Sequence, residues 1–258
     1  MYVDHGGSLD LFHLKTWLNN IHQKPFVVLD YANSEIGVIQ NVKQIIDLVH
    51  SHNGTVYLDC TGSISQIPLD VQVLNVDMAG FSAHKLGGLK GCGVLYKKPD
   101  ITLEPLVFGA QEQGLYGGTE NVLGIVSLGE AVKQHDYASV SCKNRDYVYR
   151  YIVQYIPDAY LIGNRVNRLP YNLYLCFKYV DGESLMTLMD LNGIQISTGS
   201  ACNERNLSVS PTLSAIGIDQ QDLHSCVRMT FHGKETREEL DYVCETLKRC
   251  VESLRDLN

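Results

Sequence analysis

Short apolar runs alternate with amphipathic stretches through the first hundred residues. Leu11, Leu14 and Leu18 recur at helical spacing and predict a short helix over residues 9–18. Phe26-Val27-Val28-Leu29 is a continuous apolar run, the pattern of a buried parallel strand. Asn41 then precedes Val42, Ile45, Ile46 and Val49, which fall on one face of a helix that the asparagine can cap. Residues 55–58 and 76–81 read as two more strands, and residues 93–96 as a short fourth. Strand, helix and strand in alternation imply a parallel sheet with crossover helices. In such sheets ligands gather at the carboxyl ends of the strands. Asn33, Asp59 and Lys85 each follow an apolar strand closely and are candidates for one crevice.

The pattern changes after residue 121. A helical stretch runs from Val122 towards Ile156, with a break near Tyr137 and a stop at Pro157. Leu173, Leu175 and Phe177 alternate with polar neighbours and predict a half-exposed strand over residues 172–179. Residues 183–191 read as a helix stopped at Asn192-Gly193, and residues 226–231 as a strand. Thr236 with Glu239 has the pattern of a capping box. The helix it opens carries Leu240, Val243, Leu247, Val251 and Leu254 on one stripe. The expectation is an α/β large domain with a mostly parallel sheet over residues 1–140, and a smaller α+β domain over residues 141–258.

Composition narrows the function class. The 258 residues are 45% hydrophobic and 19% charged, ordinary for a soluble globular protein. A net charge of -8 opposes direct nucleic-acid binding, which needs clustered positive charge. No apolar run approaches a membrane span, and the N-terminus lacks the basic flank and apolar core of a signal peptide, so a cytoplasmic protein is expected. The eight cysteines are scattered, without C-x-x-C pairs or zinc spacing; they read as reduced thiols, most of them buried as small hydrophobes, and no metal site is expected.

Residues 81–96 read Phe-Ser-Ala-His-Lys-Leu-Gly-Gly-Leu-Lys-Gly-Cys-Gly-Val-Leu-Tyr. Gly87, Gly88 and Gly91 allow a tight backbone and close approach of a ligand. A strand-end lysine beside such a turn can be desolvated, and a neutral amine is the nucleophile of Schiff-base chemistry. Ser82-Ala83-His84-Lys85 followed by Gly88-Leu89-Lys90-Gly91 resembles the cofactor-lysine motif of class-V aminotransferase-fold enzymes, and more narrowly of NifS/IscS-type cysteine desulfurases. Four further segments match that family in order: Asn33-Ser34-Glu35-Ile36-Gly37, Asp59-Cys60-Thr61-Gly62-Ser63, Gly114 to Asn121, and Ser197 to Cys202.

The resemblance implies a pyridoxal 5'-phosphate (PLP) fold of type I and a role for each matching residue. Lys85 would hold the cofactor, and Asp59 would pair with its pyridine nitrogen and keep the ring an electron sink. Ser82 would bind the phosphate, with His84 near the phosphate or the substrate. Asn33 would reach the ring oxygen or the substrate carboxylate. Thr119 would reach the phosphate in a neighbouring subunit, which implies a homodimer. Arg228 would grip the carboxylate of L-cysteine in a bidentate pair. Cys202 would take the sulfur as a persulfide, leaving alanine, and pass it to an acceptor or scaffold protein for iron-sulfur, thio-cofactor or tRNA sulfur supply. Taken singly, Asp59 and Asn33 read equally as turn residues, His84 as a structural histidine, Arg228 as a salt-bridge partner and Cys202 as a loop thiol.

The chain also departs from the family. Gly62 stands where the family has a glutamine that bonds the cofactor ring oxygen, and Gln113 and Tyr116 stand for arginines. The match begins well inside the large domain, so a stretch of roughly a hundred residues, the size of a small domain, has no counterpart. In the family that stretch supplies a phosphate-cradling loop and a histidine stacked on the ring. Two alternatives follow: a non-catalytic partner-binding homologue, or half of a split enzyme completed by a complementing chain. A selenocysteine lyase on the same fold is a related enzymatic reading.

Overall fold

The computed structural model describes residues 2–198 and 210–257, which divide into two compact units. One comprises Lys15–Tyr31 and Asn41–Tyr137; the other gathers Met1–Leu14, Ala32–Gln40 and Ala138–Asn258. The chain therefore crosses between units several times, and a crossing near residue 140 is the last of them. Helix α1 (Leu11–Asn20) spans the first crossing. Among the described residues no helix is long and apolar enough to cross a membrane.

The first unit is built on strands β1 (Phe26–Asp30), β2 (Thr55–Asp59), β3 (Met78–Ser82) and β4 (Gly93–Lys97), in that order across the sheet. The pairs β1–β2 and β2–β3 are parallel and β3–β4 is antiparallel. Helix α2 (Val42–His50) joins β1 to β2, and a short α3 (Val71–Leu74) precedes β3. The apolar face of α2, Val42, Ile45, Ile46 and Val49, is buried with Val27, Val56 and Leu58 on one side of the sheet. Asn41 makes no side-chain cap bond to α2; its backbone carbonyl accepts the Ile45 N–H instead. Asp70, which is extended, caps α3 by accepting from Gln72 and Val73 N–H.

Side chains alternate across a strand, so Phe26 and Val28 point away from Val27. Phe26 is 56% and Val28 61% exposed, and Leu95, on the same sheet face by register, is 54% exposed. The expectation of a strand buried on both sides fails for β1: helical cover lies on one face only. Buried Asp77 ties the unit together at its base. It accepts from Val56 N–H, His50 Nε2 and Lys98 Nζ at 2.8, 2.8 and 2.9 Å. Burial pushes its carboxyl up, but the bonds from Lys98, His50 and Val56 outweigh burial and hold it below the usual carboxylate range.

The second unit carries an antiparallel sheet made of β5 (Ala159–Leu161), β6 (Asn172–Phe177), β7 (Ser197–Thr198) and β8 (Cys226–Thr230), ordered β5-β6-β8-β7. Helices α5 (Lys143–Tyr155), α6 (Gly182–Leu191) and α8 (Arg237–Arg255) bury Val148, Ile152, Leu185, Met189, Leu240, Leu247 and Val251 with Leu173, Leu175 and Phe177. On the other face Tyr174 and Cys176 pack with Ile36, Val38, Ile162, Ile216 and Leu213 of α7 (Pro211–Ala215). Every residue of β6 is buried, not half of them as the alternation implies, because both faces are covered. The helical stretch after Val122 resolves into α4 (Val122–Gln134), a 3-10 turn at Tyr137–Ser139, and α5. The capping box at Thr236 and Glu239 forms as expected.

Candidate active site

In the first unit, candidate side chains meet where two neighbouring parallel strands end. Asp59 closes β2 and pairs in register with Gly80, two residues before Ser82 closes β3. Asp59 and Ser82 therefore share one sheet face. The chain leaves β3 into a 3-10 turn, Ala83–Leu86, which carries His84 and Lys85 and ends at Gly87 in the left-handed region (φ 94°). Its geometry is pinned on both sides: Ala83 N–H donates to Cys92 O at 3.0 Å and Gly88 N–H to Ala83 O at 3.1 Å. Leu89 N–H donates to Ser127 Oγ of α4 at 3.0 Å.

These side chains are not consumed by the fold. Ser82 is the residue before the turn, yet its hydroxyl makes no cap bond. His84 and Lys85 are exposed. Lys85, which the sequence allows to be desolvated at the strand end, is exposed on the 3-10 turn that follows β3. One oxygen of Asp59 accepts the Thr61 N–H at 2.8 Å, the bond of a strand-end turn, which leaves its second oxygen available. Thr119 is exposed in the segment leading into α4, whose cap is Asn121 Oδ1 accepting the Gly124 N–H at 3.1 Å.

Sequence reasoning missed Asp30. It pairs in register with Asp59 at the end of β1, so two carboxylates stand side by side. The packing around the strand end, and then the Asp59 charge, push the Asp30 carboxyl up. The signal was present: Phe-Val-Val-Leu-Asp and Thr-Val-Tyr-Leu-Asp are strands of equal length with the same terminal residue. Tyr57 was missed as well; its hydroxyl lies over Gly80, where a β-carbon would collide with it.

In the second unit the Asn33–Gly37 motif folds into a tight loop against β6 and β8. Asn33 Oδ1 accepts from Glu35 N–H and Ile36 N–H at 3.0 and 2.9 Å, and Asn33 O accepts from Gly37 N–H at 2.9 Å. The side-chain oxygen of Asn33 thus shapes the turn, and its amide nitrogen is the group left to reach outward. Arg228, half-buried on β8, donates from Nη1 to Ser34 O at 3.0 Å, which fixes its guanidinium beside this loop. Glu35 is the loop's anchor: Tyr174 Oη and Ser210 Oγ donate to its two oxygens at 3.1 and 2.9 Å, and Asn172 Nδ2 donates to its carbonyl at 3.0 Å. Arg228 pairs in register with Ser197 of β7, just before the stretch that bears Cys202. Cys202 itself lies outside the described residues.

The aminotransferase class-V family model matches residues 1–243. The chain is 35% identical to the cysteine desulfurase IscS of Dictyoglomus turgidum, over 99% of its own length and 66% of the relative's. It is 36% identical to IscS of Methanosarcina thermophila, over 88% of this chain and 58% of that one. The chain thus spans less than two thirds of the length of these curated relatives. Among solved structures, a NifS-like protein from Rickettsia africae superposes with a TM-score of 0.87 at 25% identity, over 98% of this chain and 69% of the other. A further NifS-like protein gives 0.83 at 30% identity, over 98% and 67%. The α/β architecture with its mostly parallel first sheet matches the fold of these structures, and the chain is a member of the class-V aminotransferase family.

Proposed function

We propose that this chain is a cysteine desulfurase-type transferase that removes sulfur from L-cysteine with pyridoxal phosphate as cofactor. The observation that carries the reading is the donor set at the ends of β2 and β3: Asp59, Ser82, His84 and Lys85, with polar groups that the fold leaves unspent. The family is PLP-dependent, and the donor set fits that group. A carboxylate suits a protonated ring nitrogen, a hydroxyl and an imidazole suit phosphate oxygens, and an amine suits the carbonyl carbon. When bound, the cofactor supplies an electron sink for the substrate's amine-bearing carbon.

The chain's own residues do the rest. Asp59 accepts the ring N–H through its free oxygen and keeps that nitrogen protonated. Ser82 donates to phosphate, and Thr119 donates to the phosphate in a partner subunit of a homodimer. Lys85 anchors the carbonyl carbon and, as a free amine, moves the substrate's α-proton. Arg228, already oriented by Ser34 O, uses its remaining N–H groups to hold the cysteine carboxylate, with the Asn33 amide nitrogen beside it. Cys202 would attack the substrate sulfur as a thiolate: the S–S bond forms as the substrate's Cβ–S bond breaks, the electron pair stays with the substrate carbon, which takes a proton to give alanine, and Cys202 is left as a persulfide. The persulfide then passes to an acceptor or scaffold protein for iron-sulfur, thio-cofactor or tRNA sulfur supply.

A second reading is favoured by one observation, the uncovered Phe26, Val28 and Leu95 on one face of the first sheet. An exposed apolar patch of this kind invites a partner, so a complementing chain would complete the large unit and raise activity. The test is titration of the purified chain with pyridoxal phosphate, followed by borohydride and by sulfide release from cysteine. A yellow, reducible band that is absent in Lys85→Ala, with sulfide produced, supports the desulfurase. No band at millimolar cofactor, alone or with a candidate partner, refutes it.

A further inference from the structure

Two cysteines that the reading above does not use face each other across the second unit's sheet. Cys176 on β6 pairs in register with Cys226 on β8. The neighbouring bond, Phe177 N–H to Ser225 O at 2.9 Å, makes Cys176 and Cys226 a non-hydrogen-bonded pair. In such pairs the α-carbons stand about 4.5 Å apart and the side chains are at their closest, within the range that a disulfide bridges. The two sulfurs converge on one atom: Cys226 Sγ lies 3.3 Å and Cys176 Sγ 3.9 Å from Asp222 O. Cys176 is 0% and Cys226 3% exposed. A polar shell borders this buried pair. Tyr160 Oη donates to Asp222 Oδ2 at 3.0 Å, and Lys178 Nζ lies 3.5 Å from the same oxygen.

We propose that Cys176 and Cys226 are a redox-active dithiol that closes to a cross-strand disulfide when hydrogen peroxide supplies the oxidising equivalents. Cys176 sulfur attacks one peroxide oxygen and the O–O bond breaks. The departing hydroxide takes the Cys176 proton as water, and a sulfenic acid remains. Cys226 sulfur then displaces that hydroxyl, which leaves with the Cys226 proton as a second water. The two sulfurs lose two electrons in all, and one peroxide becomes two waters. Geometry separates the roles: the Cys226 S–H is held by Asp222 O at 3.3 Å, while Cys176 Sγ, 3.9 Å from the same oxygen, is the less tethered of the two. The contact between the sulfurs acts the same way, lowering the Cys176 thiol and, with burial, raising Cys226. Cys176 is the attacking sulfur and Cys226 the resolving one.

The bond depends only on this chain's sulfur atoms and not on the proposed desulfurase activity. It would close a loop of about 50 residues, which constrains the unfolded chain and raises the melting temperature by roughly 5–10 °C. The test uses the full chain, reduced, desalted, treated with hydrogen peroxide, alkylated under denaturing conditions and mapped by mass spectrometry without reduction. The expected result is one linked peptide pair containing Cys176 and Cys226, lighter by two hydrogens, with the higher melting temperature returning to its starting value on dithiothreitol. Cys226→Ser and, separately, Cys176→Ser remove both the link and the shift. Recovery of both cysteines fully alkylated, after peroxide has oxidised the half-exposed Cys92 and Cys142, would overturn the proposal. So would linkage of either cysteine to Cys202 instead of to each other.

Discussion

Replacing Gly37 by alanine tests whether the loop that orients Arg228 depends on one close approach. Gly37 has φ +75°, where an alanine costs about 1 kcal/mol more than glycine. Its added β-carbon would overlap Asn172 Oδ1 and stand 2.8 Å from Asn172 Cβ, so rotating the amide cannot clear it. Asn172 must move at its backbone, on the first residue of β6. That breaks the 3.0 Å bond from Asn172 Nδ2 to Glu35 O, about 1 kcal/mol, and leaves a half-buried carbonyl without its donor, about 1–2 kcal/mol more. The sum is about 3–4 kcal/mol, or roughly 9–12 °C in melting temperature for a chain of this size. Gly193→Ala is the control: it has the same φ of +75° but open space around the new carbon, so only the backbone penalty of about 1 kcal/mol, near 3 °C, applies. The assay is urea and thermal denaturation of both variants, followed by the KM for cysteine, which should rise for Gly37→Ala as Ser34 and Arg228 shift. Equal melting temperatures for the two variants would refute the packing argument.

Glu235 is a second handle. Partial burial raises its carboxyl, but hydrogen bonds from the Asn144 amide, the His232 and Glu235 backbone N–H groups and the His232 ring pull it to about 2 from the usual 4.5. A depressed carboxyl stabilises the fold above about pH 4.5 and loses that contribution as pH falls towards 2, so Glu235→Gln should cost about 1–2 kcal/mol at pH 7 and progressively less below pH 4.5 in urea titrations. Gly80→Ala forces the Tyr57 hydroxyl aside, with Tyr57 Cζ 3.2 Å from the new carbon, and should lower stability by about 1–3 kcal/mol. Combining it with Tyr57→Phe should recover part of that loss in a double-mutant cycle, whereas strict additivity would place the clash elsewhere. Cys202→Ser should abolish sulfide release while leaving the cofactor band intact; persulfide found by mass spectrometry only on Cys60 or Cys92 would remove Cys202 from its role.

Much of the fold was legible because the two periods of the sequence are clean. The β1–α2–β2 unit and the α8 stripe follow directly from spacing, and the capping box at Thr236 names its own helix start. The misreadings have physical causes. Periodicity reports which residues can be buried and says nothing of what covers them, so β1 read as two-sided and β6 as one-sided, the reverse of their environments. A cap-forming residue type permits a cap without requiring one: Asp70 and Asn121 accept helix N–H groups through their side chains, and Asn41 does not. At the site, Asp59, Ser82 and Lys85 were visible as strand-end polar residues. Asp30 was passed over although β1 ends as β2 does, and Glu35 was not visible because its significance lies in long-range bonds, such as Tyr174 to Glu35, that no local window contains.

Strand β6 also sets the timing of motions in its unit. Its backbone is bonded to β5 on one side and β8 on the other, and its side chains plug two separate apolar layers alternately. Loosening one layer leaves the middle of β6 covered by the other, whereas the Cys176 end borders the polar Tyr160, Asp222 and Lys178 and lies nearer solvent. Amide protons of Leu173 and Leu175 should therefore exchange with solvent deuterium only through opening of the whole unit, at one common rate, while helix ends and loops exchange sooner. The strand acts as a clock, and the slowest-exchanging amides in the unit read its global opening free energy directly.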